Sequence, residues 1–133
     1  MNLSFCKLKK IFPKLNEREL TLEDFYSVAS EYQISIVEMR LKRRGYSLFD
    51  LETRQDFIFV KKDLDSLKML ETVYHEVCHS LISANETEAN AFRLIALIPA
   101  TKLDSYDWLE ENPTKYAFKL WQERLRVRFL FGV

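Results

Sequence analysis

The sequence predicts an α+β domain rather than a βαβ repeat, because a helical pattern, then strand patterns, then further helical patterns follow one another along the chain. Only 2 glycines and 3 prolines interrupt 133 residues, which favours regular elements joined by short connections. Hydrophobic residues make up 47% and aromatic residues 14%, enough for a packed core rather than disorder. A single domain spanning residues 1–133 is long enough to bury such a core. No internal repeat, low-complexity tract or linker divides it.

The first clear element is signalled at Thr21, where TLED sets an acid three residues after a threonine and reads as a capping box. Leu22, Phe25, Val28, Ala29 and Tyr32 then recur at helical spacing. QISIVEM follows, with Ile34, Ile36 and Glu38 in phase on one face and β-branched content that suits a strand. The basic run RLKRRG, residues 40–45, ends in glycine and reads as a turn. Residues 46–50 suit a short strand and DFIFVKK, residues 56–62, a stronger one. Asp65 or Ser66 is placed to cap a helix whose apolar stripe is Leu67, Leu70, Tyr74, Val77 and Leu81. Asn85 is suited to N-cap a second helix whose apolar run ends near Pro99. A helical turn around residues 106–111 comes next. Asn112-Pro113, cap and proline in the favoured order, then opens a final helix reaching about Leu130.

Basic and acidic residues number 20 each, so no global charge argues for nucleic acid or an anionic membrane surface. Near the C-terminus, Arg124, Arg126 and Arg128 are two apart and spread around a helix instead of lining one face. Leu120, Trp121, Leu125, Phe129 and Leu130 read as core or partner surface. No nucleic-acid-binding residue is expected. No apolar run approaches the roughly 18 residues of a membrane span, and MNLSFCKLKKIFPK lacks the apolar run of a signal peptide. The expectation is a cytoplasmic protein without membrane association. Cys6 and Cys78 make no disulfide framework, and Cys78 reads as a buried or site-lining thiol.

Chemistry concentrates in HEVCHSLISANETEAN, residues 75–90. His75 and His79 are i and i+4 on the expected helix, so both imidazoles leave one face a turn apart. That spacing lets both reach one Zn²⁺ at about 2.0–2.1 Å without breaking the helix. Glu76, offset from both, can hold an activated water and take its proton as general base. A catalytic zinc keeps three protein ligands and one open position. These are the only two histidines, so a carboxylate must complete the set: Glu86 or Glu88 nearby, or Glu71 one turn before His75.

HEVCH followed by ETEANAFRLIALIP resembles the ImmA/IrrE family of small metallopeptidases, which typically shows HELGH and then E-x-E-A-N-x-F-A-x-x-L-L-M-P. Glu86, Glu88, Ala89, Asn90, Phe92, Leu97 and Pro99 fall in register, with Ile98 in place of Met. The resemblance covers about residues 20–100. It implies a small zincin-like domain: an N-terminal helix, a short two- or three-stranded sheet, the metal helix packed on a second helix, and C-terminal helices. It implies one catalytic zinc on His75, His79 and Glu86, with Glu76 as general base. Asn90 would steady a ligand through its amide, with Glu71 and Arg93 close by.

The chain departs from the family at three points. Cys78 replaces a glycine and reads as a small core residue. Arg93 replaces an alanine, and can pair with Glu86 or Glu71, contact substrate or stay solvated. Only six residues separate His79 from Glu86, fewer than usual in the family, yet His79 in the last turn of one helix and Glu86 in the first turn of the next can still meet. An electrophilic helper could come from Tyr74, Tyr106 or Tyr116, none of which the sequence places. The resemblance implies a zinc-dependent endopeptidase whose partner is a protein substrate, such as a helix-turn-helix repressor in phage, mobile-element or stress regulation. The alternative is a zincin-fold protein of weak or no activity that acts by binding a regulatory partner.

Overall fold

A computed structural model describes residues 3–82 and 84–133. The elements run α1 (Leu3–Ile11), α2 (Leu22–Tyr32), β1 (Ile34–Met39), β2 (Gly45–Asp50), β3 (Gln55–Lys61), α3 (Ser66–Ile82), α4 (Glu86–Leu97), a 3₁₀ turn (Ala100–Lys102), α5 (Asp107–Glu111) and α6 (Lys115–Phe131). The order is α+β, as expected. The sheet has three strands in the order β1-β3-β2, with β1 parallel and β2 antiparallel to β3. As the central strand, β3 carries Ile58 and Val60, both fully buried. No helix among the described residues is long and apolar enough to cross a membrane.

Thr21 and Asp24 form the expected capping box: the Asp24 amide donates to Thr21 Oγ1 at 3.2 Å and the Thr21 amide donates to Asp24 Oδ2 at 2.7 Å. Arg18 adds a bidentate pair to the same carboxylate, both contacts at 2.8 Å. The Arg18 guanidinium, with the Thr21 amide and hydroxyl, overcomes partial burial and lowers the Asp24 pKa to about 2. Asp65, not Ser66, caps α3, accepting from the Lys68 amide at 2.9 Å.

Two features depart from the sequence reading and a third goes beyond it. A helix, α1, precedes the one that starts at Thr21. Leu8 in this helix and Phe12 just after it are core residues, and the Phe12 ring sits edge-on 5.6 Å from Tyr74. The last helix is capped by Thr114, whose hydroxyl accepts from Ala117 at 3.0 Å, and not by Asn112. Asn112 instead closes α5, its side-chain amide donating back to the Trp108 carbonyl at 2.9 Å. The spread of the three arginines around α6 turns Arg124 inward. It is fully buried, donating to the Ile98 carbonyl at 2.5 Å and to Asn16 Oδ1 at 3.1 Å. Burial, with the Arg128 charge adding to it, lowers its pKa to about 10. Leu120 and Trp121 join the core, whereas Leu125, Phe129 and Leu130 are exposed.

Because the Asp24 pKa is lowered in the folded chain, its contribution is present above the unfolded value and lost as pH falls towards the folded one. Asp24→Ala is expected to cost about 1 kcal/mol near neutral pH. In urea titrations the gap to wild type should close between about pH 4 and about pH 2; a gap independent of pH would contradict the capping account.

Candidate metal centre

Helices α3 and α4 form an antiparallel pair joined by residues 83–85, and Asn85 caps α4 as expected, accepting from the Glu88 amide at 2.9 Å. Glu86 is therefore the first helical residue, held opposite the last turns of α3. His75 Nε2 lies 3.1 Å from Glu86 Oε2, and His79 Nε2 lies 2.8 Å from Glu86 Oε1. The two imidazole rings stand 4.8 Å apart at 80°.

The tautomer of His79 follows from its other nitrogen. Nδ1 is 2.7 Å from the Ala84 carbonyl, which can only accept, so Nδ1 carries the proton and Nε2 offers its lone pair. A lone pair facing a carboxylate oxygen at 2.8 Å is attractive only when a proton or another cation lies between them. His75 has carboxylates at both nitrogens, since Nδ1 is 3.3 Å from Glu76 Oε1. Burial alone would lower the His75 pKa, but Glu76 and Glu86 together outweigh it and raise it. The slight burial of Glu86 acts to raise its pKa, and the two imidazoles more than reverse this.

Could the group hold a metal? One ligand atom from each of His75, His79 and Glu86 lies within 4.8 Å of the others. Bonds of about 2.0–2.1 Å to one tetrahedral ion set such atoms about 3.3–3.4 Å apart, which lies between the 2.8 Å and 4.8 Å separations of this group. Two imidazoles and one carboxylate are also the donor set of open zinc sites. The donors fit.

Beside this group an open cleft of about 610 Å³ runs between the start of β2 and the α3–α4 pair. His75 and the buried carboxylate of Glu76 line it, with Thr72, Asn90, Arg44 and Arg93 around them. Gly45 makes the close passage of β2 possible: a Cβ there would meet the Phe59 carbonyl oxygen and Thr72 Cγ2, both at 2.7 Å. It was expected to end a turn, but it is a strand residue whose missing side chain lets the sheet edge approach α3.

The structure separates the other candidates. Glu88 points away from the histidines; one of its oxygens is buried without a partner among the described residues, in an apolar hollow lined by Leu8, Phe92 and Phe131. Cys78 is fully buried in the core, and burial, with Glu88 adding to it, pushes its thiol up to about 12. Asn90 lines the cleft with His75, and its side-chain oxygen accepts from Arg93 Nε at 3.1 Å. Glu71 is committed elsewhere: Arg93 Nη1 at 2.6 Å, Arg44 Nη1 at 2.9 Å and the Tyr116 hydroxyl all converge on it. Arg93 thus pairs with Glu71, and with Glu123 at 3.3 Å, but not with Glu86. Tyr74 is buried, its hydroxyl donating to the Thr21 carbonyl at 2.5 Å, and Tyr106 is exposed. Arg44, Tyr116 and Glu123 are contributions no local pattern signalled, because they reach Glu71 and Arg93 from distant parts of the chain.

Gly45→Ala is expected to cost about 1–3 kcal/mol in urea unfolding, the range for overpacking a close contact. An unchanged midpoint would mean β2 does not press on α3. Glu71→Gln leaves two guanidiniums facing an uncharged amide. Its expected cost is about 2–3 kcal/mol, below that of a wholly buried pair because the Arg44 side chain is 43% exposed; a cost near zero would mean the arginines are held by other contacts.

Comparison with protein-family models and with curated proteins finds no match to this chain.

Proposed function

We propose that this chain is a zinc-dependent endopeptidase of the ImmA/IrrE type. One observation carries the reading: two imidazole nitrogens converge on the two oxygens of Glu86, in contacts that call for a cation, at the wall of a cleft that also holds the Glu76 carboxylate. His75, His79 and Glu86 would hold one zinc. Bound there, zinc would supply Lewis acidity, acidifying water to near neutrality and polarising a carbonyl.

The remaining steps belong to the chain's own side chains. Glu76, with 5% of its surface exposed, can orient a water in the cleft and accept its proton. The Ala84 carbonyl keeps His79 in the tautomer that presents Nε2. The cleft, open to solvent, suits an extended segment of another protein. Three protein donors would leave a bound zinc open to water, which points to catalysis over a structural role, since structural sites are usually closed by four ligands, often thiolates. By resemblance the substrate is a helix-turn-helix repressor of a phage, mobile element or stress response. Cys6 is exposed, Cys78 is buried and neither is paired, which fits a reducing cytoplasm.

Elemental analysis of freshly purified protein is expected to find one zinc per chain. His75→Ala and Glu86→Ala should lose it, and Glu88→Ala should keep it. A metal-free wild type, or loss in Glu88→Ala without loss in Glu86→Ala, contradicts this centre. With a candidate repressor, Glu76→Gln should retain zinc and slow cleavage by about 10²–10⁴-fold. An effect on the repressor that survives Glu76→Gln unchanged would make the protein a binder and not a peptidase.

A further inference from the structure

The net charge of zero hides a local concentration of cations next to the candidate metal centre. The loop from β1 to β2 and the end of β3 lie side by side, tied by the Lys61 amide donating to the Arg44 carbonyl at 2.7 Å and the Lys62 amide donating to the Met39 carbonyl at 3.1 Å. This brings Arg40, Lys42, Lys61 and Lys62 around one open hollow, in which Asp63 is the sole acid. The loop continues without a break into the cleft, where Arg43 and Arg44 line the same wall as His75 and Glu76.

Several cations elsewhere on the surface have carboxylate partners, among them Lys9 with Glu17, Arg18 with Asp24, Lys68 with Asp65 and Arg93 with Glu71; what sets this hollow apart is that four cations line it together. The side chains of Arg40, Lys42, Arg43, Lys61 and Lys62 have no ion pair or hydrogen bond among the described residues. Like charges gathered around one hollow repel, and an anionic partner relieves that repulsion.

We propose that this hollow binds an acidic segment of the polypeptide occupying the cleft, adjacent to the stretch that faces Glu76. As a site of cleavage this rests on the peptidase reading; as a binding site it does not. The continuity of hollow and cleft favours a polypeptide over a nucleic acid, because one extended chain can run from the basic loop past His75. A duplex needs a broad face with several phosphate contacts, and Asp63 in the hollow stands against its backbone. Acidic side chains would steer encounter and fix the register of the bound segment.

The test is fluorescence anisotropy with a short labelled peptide of alternating Glu and Ser, its Gln counterpart and a short DNA duplex. Wild-type protein is titrated with and without chelator, so the readout is independent of metal and of cleavage. The expected result is saturable binding of the Glu peptide, weakening as salt rises, with neither the Gln peptide nor the duplex competing well. Lys42→Glu/Lys62→Glu, at two exposed positions, should weaken it about tenfold or more while the thermal melt stays that of wild type. Equal binding of Glu and Gln peptides, tighter binding of the duplex, or an unchanged affinity in a folded double variant would overturn the proposal. Loss of zinc or of cleavage with peptide binding intact would count against the peptidase reading alone.

Discussion

The arrangement around the cleft depends on one buried carboxylate. Glu71 on α3 accepts from Arg44 at the mouth of β2, from Arg93 on α4 and from Tyr116 on α6, so four elements meet at a single negative charge. A carboxylate with 6% exposure is costly unless paired, and two guanidiniums and a hydroxyl supply what solvent would have given. Arg44 and Arg93 also form two walls of the cleft. The charge that fixes these walls sits one helical turn from His75, on the same face of α3. This is why Glu71, a conceivable ligand by spacing, serves the cleft and leaves the imidazoles to Glu86.

The short connection between α3 and α4 places its own constraint. With three residues between the helices, the last turn of one and the first turn of the next must face each other closely. Asn85 starts α4 sharply enough for Glu86 to emerge between the two imidazoles, and Ala84 presents its carbonyl to His79 in the same turn. The turn thus brings up the carboxylate and sets the tautomer of one histidine. Cys78 lies between the histidines in sequence but is turned about a quarter of the way round the helix from them, into the core, where a small apolar side chain is accommodated.

Patterns confined to one element were legible in the sequence. The Thr21 capping box, the Asn85 cap, the i and i+4 histidines and the strand over residues 34–39 depend on neighbours a few residues away, and all stand where local chemistry puts them. Three kinds of feature were not legible. The first helix is held by long-range packing, through Leu8 and the following Phe12, which a local pattern does not show. The Asn112-Pro113 signal was genuine in type, but the threonine two residues after Asn112 offered a better cap, and the asparagine side chain was taken by α5. Contacts between distant segments were also invisible: Arg44 with Glu71, Tyr116 with Glu71, and Arg124 with the Ile98 carbonyl. Gly45 looked like punctuation because only the packed structure shows which side chain its missing Cβ would strike.

The basic loop at residues 40–44 illustrates the same division at the level of charge. Composition balances acids against bases over the whole chain, yet folding sorts them, pairing many and leaving a cluster unpaired beside the cleft. The central claim, however, is the donor set of His75, His79 and Glu86. X-ray absorption at the zinc edge of the zinc-loaded protein tests it most directly. The account expects nitrogen and oxygen scatterers at about 2.0–2.1 Å, with the multiple-scattering signature of two imidazoles and no sulfur. A sulfur shell near about 2.3 Å, which would bring a cysteine to the metal, or the signature of fewer than two imidazoles, would contradict it.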